Sequence, residues 1–274
     1  MREPSSPDAH RVTVLLPAYQ GMPYVTEAVE SVLRQSYRHF QLLVLDDGST
    51  DGTAEALDGY RADPRFRLER LEHGGMAAAL NHGLAVATTE YVARMDADDR
   101  CEPGRLSAQV AFLDAHPEVD VVGTAYRPLD ADGRPGEGRP VLRTDADLRR
   151  LLHLVSPFVH GSVMFRREVV VAAGGYDGEY WPAEDYHLWC RLGGGFANLP
   201  EVLYLHRTHP SASSRPDQER QAARIAAELV ARAPTPRKAS LAEVLVGCML
   251  HRHELRWYLR WQRRLRAVGT ARQW

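Results

Sequence analysis

Acidic residues crowd into a few short clusters that could bind a metal ion or accept a proton. Three carboxylates fall within the four residues Asp96-Ala97-Asp98-Asp99. Carboxylates this close repel one another, and a divalent cation with oxygen ligands relieves the repulsion, Mg²⁺ and Mn²⁺ being the natural choices. A turn of solvated or helix-capping aspartates has the same pattern. Because the cluster directly follows a predicted buried strand, we favour the metal site.

Two further acidic pairs suit other steps of a reaction. Asp46-Asp47 ends another apolar run, where a carboxylate can bind a base N–H or a ribose hydroxyl, or can belong to a turn that caps the next helix. Glu184-Asp185 opens a predicted helix, where acids complement the helix dipole. Alternatively, an acid at this position is a general base that takes a proton from an incoming hydroxyl.

Aromatic and histidine side chains accompany the acidic clusters. Tyr19 follows the first apolar run and could stack on a nucleobase, although a loop tyrosine on the surface has the same pattern. Trp181 offers a flat face for a sugar ring or a packing surface for the core. His160 and His209 lie near predicted loop edges, where structural roles compete with metal or phosphate binding; His209 is the stronger candidate for the latter.

Strands and helices are predicted to alternate and so to position these residues. In the first half, strands are predicted at 12–16, 41–45, 65–70, 91–95 and 119–122, with helices at 24–34, 51–59, from 76, and at 105–116. This alternation is typical of an α/β fold with a mostly parallel central sheet flanked by helices. Ligands of such sheets bind beyond the carboxyl ends of the strands, so the acids and Tyr19 should converge on one crevice.

The second half is less regular. A turn-rich polar stretch at 130–138 is typical of a hairpin tip or a loop. Helices are predicted at 145–154, 184–192, 218–230 and 239–268, and strands at 159–165 and 203–207.

Composition excludes several classes of protein. The chain has 274 residues, of which 44% are apolar and 26% are charged, as is ordinary for a soluble globular protein. Its three cysteines are too few for a disulfide framework or a cysteine-based zinc site, which favours a reducing compartment. Residues 1–10 lack the apolar core of a signal peptide, and no stretch reaches the length of a membrane span. We therefore expect a cytoplasmic protein.

The positive charge is concentrated at the C-terminal end. From Arg215 onward there are 13 basic and 5 acidic residues, a net charge of +8, against −10 for residues 1–214. Arginines alternate with tryptophans and leucines between Arg252 and Arg266, which fits an amphipathic helix on an anionic membrane surface. Packing on the rest of the chain, or self-association through 239–268, fits equally well. Arginines and aromatic residues can also bind nucleic acid, but no other feature of the sequence supports that role.

Four segments occur in the order and spacing of a known family. They are VTVLLPAY at 12–19, VLDDGSTD at 44–51, RMDADD at 94–99 and AEDYHLW at 183–189. Together they resemble the family 2 glycosyltransferases, which have a GT-A fold, and the resemblance spans roughly 11–214. It implies an inverting enzyme that moves a sugar from a nucleotide-diphosphate donor, most often a UDP-sugar, to an acceptor hydroxyl. The setting it implies is synthesis of cell-surface polysaccharide, glycolipid or another glycoconjugate.

The resemblance implies a role for each matching residue. Donor binding falls to Pro17, Tyr19, Asp46, Asp47, Asn81 and Asp96. The metal, Mn²⁺ or Mg²⁺, falls to Asp98, with Asp99 and His209. Asp185 is the expected general base with Glu184 supporting it, and the acceptor side includes His160, Tyr176 and Trp181.

The expected organisation is a catalytic domain at 1–214 and a basic helical extension at 215–274. The domain divides at about 11–123 into a nucleotide-binding half, with an acceptor-binding half at 124–214. Two alternatives stay open: a non-catalytic protein of the same fold that binds nucleotide sugars or carbohydrate, and a sugar nucleotidyltransferase. The second would carry a glycine-rich basic loop after the first strand, and Gln20-Gly21-Met22-Pro23 does not fit that pattern.

Overall fold

The computed structural model describes residues 10–153, 155–208 and 215–232. The strands are β1 (Val12–Ala18), β2 (Phe40–Asp46), β3 (Phe66–Arg70), β4 (Tyr91–Arg94), β5 (Arg100–Cys101), β6 (Val119–Leu129), β7 (Met164–Arg166) and β8 (Gly195–Arg207). The helices are α1 (Val25–Leu33), α2 (Thr53–Leu57), α3 (Met76–Val86), α4 (Arg105–Ala115), α5 (Asp145–Leu152), α6 (Arg167–Ala172), α7 (Glu184–Arg191) and α8 (Arg215–Arg232). Short 3-10 turns lie at Asp58–Ala62, His160–Ser162 and Gly178–Tyr180.

Within the described residues, all eight strands form one mixed sheet in the order β3-β2-β1-β4-β7-β6-β8-β5. The first four strands in this order are parallel, and β6 is parallel to β8. β7 runs antiparallel to both β4 and β6, and β5 runs antiparallel to β8. The α/β architecture expected from the sequence is confirmed.

Two apolar layers cover the sheet, one on each face. Val14 and Leu16 of β1 pack with α1 and α4, whereas Leu15 between them packs with α3 and α7. Successive side chains of a strand point to opposite faces, so a strand covered on both sides needs an unbroken apolar run. This explains why every residue of β1 is buried. Gly83 lets α3 approach closely, since a Cβ there would lie 2.8 Å from the Leu45 side chain.

Some predicted elements were shorter than those observed, and one was wrong. The strand predicted at 119–122 is the start of the 11-residue β6, and the strand predicted at 203–207 is the end of the 13-residue β8. The prediction of a continuous strand at 159–165 was wrong, because the Ser162 hydroxyl donates to the Val159 carbonyl at 2.8 Å and closes a turn. Only the short β7 follows that turn.

The polar stretch 130–138 forms an arm that folds back on β6, as predicted for a hairpin tip. Leu129 bridges to Pro135 and Tyr126 bridges to Arg139. Two arginines hold the arm through its backbone carbonyl groups. Half-buried Arg100 donates to Gly133 at 3.2 Å, and buried Arg207 donates to residues 130 and 131.

The first part of the basic extension packs against the rest of the chain. Ile225 of α8 is 2% exposed and belongs to the same apolar layer as α7. The predicted helix at 239–268, which carries six of the twelve arginines and two of the three tryptophans of the extension, lies outside the described residues. In the described part of the chain, no helix combines the length and apolar character needed to cross a membrane.

Candidate functional site

The acidic clusters meet at the carboxyl edge of the parallel strands. Ala18 at the end of β1 pairs with Asp46 at the end of β2, and Leu15 pairs with Arg94 at the end of β4. Asp96 therefore lies at the same edge as the Asp46-Asp47 pair. The charge of Asp96 also acts on the pKa values of both Glu184 and Asp185, which start α7. The acids at the strand ends thus gather at one edge of the sheet, as expected from the sequence, and we call the space between them and the start of α7 the crevice.

An aromatic platform stands at one end of this crevice. The ring of Tyr19, 51% exposed, stacks on the ring of His73 with centroids 4.2 Å apart. His73 is fixed in turn by Asp47, whose backbone oxygen and Oδ2 atom lie 3.0 and 2.9 Å from Nδ1. A half-exposed stacked pair of this kind suits the flat face of a nucleobase. His73 was missed in the sequence, where a lone loop histidine carries no signal.

Asp47 and its neighbours shape the loops below this platform. The two Asp47 oxygens accept the backbone N–H groups of Gly74 and Gly75 at 2.8 and 2.9 Å. Asp46 is also buried, and its Oδ1 atom accepts the Ser49 N–H at 3.1 Å.

Pro17 is buried in β1. Pro17, Asp46 and Asp47 therefore lie at the carboxyl edge of the sheet, with the two aspartates bonded to the backbone of adjoining loops. Their donor-binding role stays a prediction.

Arg94 is a fully buried cation beside the triple-acid cluster. Its side chain is 1% exposed, and its guanidinium donates to Asp96 Oδ1 at 2.7 Å. Burial alone would raise the pKa of Asp96, but the positive charge of Arg94 holds it below the ordinary value. Arg94 was missed in the sequence, although an arginine at the end of an apolar strand is visible there.

Asp99 and Asp98 have different environments although they are adjacent. Asp99 is buried and accepts hydrogen bonds from the Tyr204 hydroxyl at 2.6 Å, the Arg207 N–H at 2.6 Å and His206 Nδ1 at 3.1 Å. Because protein donors engage both Asp99 oxygens, we propose that Asp99 ties the acidic loop to β8 rather than binding the metal. Asp98 is partly exposed, and its backbone oxygen accepts from Arg207 at 2.7 Å.

These residues form no ready-made metal cage. In residues 10–153, 155–208 and 215–232, no three His, Cys, Asp or Glu side chains are grouped to hold an ion. Mg²⁺ and Mn²⁺ bound jointly with substrate phosphates need only one or two carboxylates from the protein, and Asp98 fits that requirement. His209, the third expected ligand, lies outside the described residues.

The Glu184-Asp185 pair lies across the crevice at the N-terminus of α7. Asp185 is half-buried and accepts the Ser156 hydroxyl at 3.2 Å, and its burial raises its pKa. Glu184 is 5% exposed; burial, followed by the charge of Asp185, raises its pKa to about 7. The Glu184 Oε2 atom is buried without a hydrogen-bond partner among the described residues. Carboxylates with raised pKa values suit proton transfer near neutral pH.

The expected acceptor-side residues divide into buried and exposed groups. His160 Nε2 lies 3.0 Å from the hydroxyl of the buried Tyr176, and burial lowers the pKa of His160 to about 3, so this histidine is neutral. Asn81 was expected to bind the donor, but both of its amide atoms bond the backbone of Tyr176 at 2.8 Å. We therefore propose that Asn81 fixes that loop rather than binding the donor. Trp181 is 50% exposed.

Comparisons with known proteins agree on one family. Residues 13–172 match the family model described as "Glycosyl transferase family 2". The chain is 35% identical over 213 residues to the putative glycosyltransferase EpsE of Bacillus subtilis, covering 75% of this chain and 76% of the relative. It is 34% identical over 182 residues to the amylovoran biosynthesis glycosyltransferase AmsE of Erwinia amylovora, covering 65% and 68% of the two chains.

Solved structures agree on the fold. The structure of S. aureus TarS 1–349 in complex with UDP-GlcNAc has a TM-score of 0.66 and 24% identity, covering 82% of this chain and 68% of that chain. The mannosyltransferase PcManGT from Pyrobaculum calidifontis, in complex with GDP-Man and Mn²⁺, also has a TM-score of 0.66, with 23% identity. It covers 97% of this chain and 76% of that chain. The expected GT-A fold is confirmed.

Proposed function

Since the chain belongs to glycosyl transferase family 2, we propose that it moves a sugar from a nucleoside diphosphate to a carbohydrate hydroxyl with inversion. The observation that carries this proposal is the pairing of two different acidic sites at one sheet edge. Asp98 is a partly exposed carboxylate beside the Arg94–Asp96 pair, and Asp185 across the crevice has a raised pKa. Two carboxylates in such different environments are typical of an active site in which each carboxylate has its own role.

The donor in this proposal is a UDP-sugar, with its base on the Tyr19–His73 platform. The platform's exposed face supports base stacking, and TarS has been solved with UDP-GlcNAc. Asp98 would hold a Mn²⁺ or Mg²⁺ ion against the diphosphate, and PcManGT has been solved with Mn²⁺. When bound, that ion neutralises charge on the diphosphate as it leaves.

Asp185 is the proposed general base. An acceptor hydroxyl is a poor nucleophile at neutral pH and needs a proton acceptor aligned opposite the leaving group. Asp185 would take that proton on a side-chain oxygen while the Ser156 hydroxyl holds the carboxylate in place. Buried Glu184 sits beside it in the first turn of α7 and supports it. A single base suffices for inversion, because no covalent intermediate forms on the enzyme.

The acceptor in this proposal is a cell-surface glycan or glycolipid. The relatives' names refer to amylovoran biosynthesis and to O-antigen biosynthesis, the latter for Escherichia coli WbnJ, which is 27% identical over 218 residues. We assign donor binding to about 11–123 and acceptor binding to 124–214. The basic extension at 215–274 would hold the enzyme at the cytoplasmic face of the membrane.

The test begins with binding and continues with transfer. Isothermal titration calorimetry of UDP, GDP, dTDP and CDP, each with Mn²⁺ or with EDTA, should reveal tight metal-dependent binding of UDP. NMR of the product from the matching nucleotide sugar should show an inverted anomeric carbon. Failure of all four nucleotides to bind would contradict the proposal, and binding without transfer would indicate the non-catalytic alternative.

A further inference from the structure

A cleft lies between α8 and the loop that leads into α7. Its volume is about 610 Å³, and it is widely open to solvent. The lining residues are Trp181, Pro182, Asp217, Arg220, Gln221 and Arg224. Two come from the loop before Asp185 and four come from α8.

The walls of this cleft are held in place by contacts between α8 and the loop. Gln221 Nε2 donates to the backbone oxygens of Glu179 at 3.3 Å and Trp181 at 3.2 Å. The Arg224 guanidinium lies 4.6 Å above the ring of Tyr180. Ile225 behind these contacts is 2% exposed. A site with fixed walls loses less entropy when a ligand binds.

The chemistry of the cleft suits a sugar ring. Trp181 is 50% exposed, and its flat indole can cover the C–H face of a pyranose. Asp217 and Arg220 form an ion pair on α8. A paired carboxylate and guanidinium still offer further acceptor lone pairs and N–H donors, and sugar hydroxyls need both kinds of partner.

The position of the cleft relative to the expected base sets what it can hold. Trp181 precedes Asp185 by four residues, so their Cα atoms lie at most about 14 Å apart. A short oligosaccharide can span any distance up to that limit, so one acceptor can contact both residues. The reacting sugar of the acceptor would lie at Asp185 and a preceding sugar at Trp181.

We propose that the cleft between Trp181 and α8 is an acceptor subsite that binds a second saccharide unit, so that the enzyme extends an existing glycan chain. This inference rests on the proposed function and adds to it the acceptor class. It also gives α8 a role in substrate selection.

The test uses the full chain in the presence of UDP and Mn²⁺. Fluorescently labelled protein is applied to an array of mono-, di- and trisaccharides from bacterial exopolysaccharides and O-antigens, and retained glycans are then tested as acceptors in transfer. Trp181→Ala and Arg220→Ala are compared with Glu219→Ala, an exposed control on the same helix outside the cleft. The Arg220 side chain is 74% exposed, so its removal should leave the fold intact.

We expect retention of di- or trisaccharides over the matching monosaccharide. Each cleft variant should raise the acceptor KM about tenfold, the effect of losing one or two contacts, while kcat stays close to that of the wild type. The Glu219→Ala variant should match the wild type, and UDP affinity should be equal in all four proteins.

Three outcomes would overturn the subsite: retention of no glycan, equal use of mono- and trisaccharide acceptors, or wild-type KM values in both cleft variants. If UDP binds normally in those cases, only this inference fails. Absence of UDP binding in the wild type would instead contradict the proposed function.

Discussion

Two pairs of adjacent acids border the same crevice and have opposite environments. Asp46 and Asp47 follow β2 and are buried, and the backbone N–H groups of neighbouring loops donate to their oxygens. Glu184 and Asp185 start α7, and there burial raises the pKa of both carboxyl groups. One oxygen of Glu184 is buried without a partner in the described part of the chain.

Sequence alone therefore does not distinguish acids with a structural role from acids that take part in the reaction. Backbone donors fix a carboxylate in position and favour its charged form. A buried carboxylate with fewer donors is costly to keep charged, and proteins retain such groups where a proton must move. We therefore assign the first pair to the donor side of the crevice and the second pair to proton transfer.

The largest effect is expected from Asp185→Asn. This change keeps the shape of the side chain and removes the proton acceptor, so the transfer rate should fall by about 10²–10⁴-fold, the usual contribution of a general base. Asp47→Asn is the matched control in the other pair and should act mainly through donor affinity. The measurement is initial rate at saturating donor and acceptor. A transfer rate within a few-fold of the wild type in Asp185→Asn would remove it as the base.

Glu184→Gln should change how stability depends on pH. The pKa of Glu184 is raised from 4.5 to about 7 on folding, so the folded state keeps a proton that the unfolded state loses. Stability of the wild type should therefore fall as pH rises from about 4.5 to 7, by about 3 kcal/mol in total from this group.

Glu184→Gln removes that loss, so its stability relative to the wild type should rise over the same interval and level off above pH 7. Urea unfolding at several pH values measures the difference, and the shared contribution of Asp185 largely cancels. A constant difference across this pH range would contradict the raised pKa.

Asp99→Asn tests whether Asp99 has the structural role and Asp98 the metal-binding role, as their contacts indicate. The amide cannot accept from all three donors, so the free energy of unfolding should fall by about 2 kcal/mol. Asp98→Asn on the same loop is the control and should cost less, because this side chain is partly exposed. Chemical denaturation provides the comparison. An Asp99→Asn protein that is fully stable but has lost metal-dependent UDP binding would restore Asp99 as a ligand.

The smallest effect is expected from Asn81→Ala. Loss of its two hydrogen bonds to the Tyr176 backbone should loosen that loop and lower stability by about 1–2 kcal/mol. The acceptor KM should rise a few-fold while UDP affinity stays unchanged. Calorimetric titration of UDP distinguishes a role in donor binding from one in acceptor binding, since a large loss of UDP affinity would place Asn81 in the donor site.

The sequence was sufficient to predict where the acids gather but not what each contacts. Strand ends can be read from apolar runs, and parallel strands end at one edge, so the convergence of Asp46 and Asp96 followed from the pattern. The role of Asp99 depends on Tyr204 and Arg207, which are more than a hundred residues away. Asn81 likewise meets Tyr176 at a separation of 95 residues. Such contacts depend on packing that has no local sequence signal.

The division of the crevice into two sites is tested most directly by the UDP affinity of Asp185→Asn and Asp98→Asn, measured with Mn²⁺ and with EDTA. The division of the crevice predicts that Asp185→Asn binds UDP with the affinity and metal dependence of the wild type. It predicts that Asp98→Asn loses the metal-dependent part of that affinity. Equal losses in both variants, or a wild-type metal response in Asp98→Asn, would contradict the separation of a metal and donor site from the proton-transfer site.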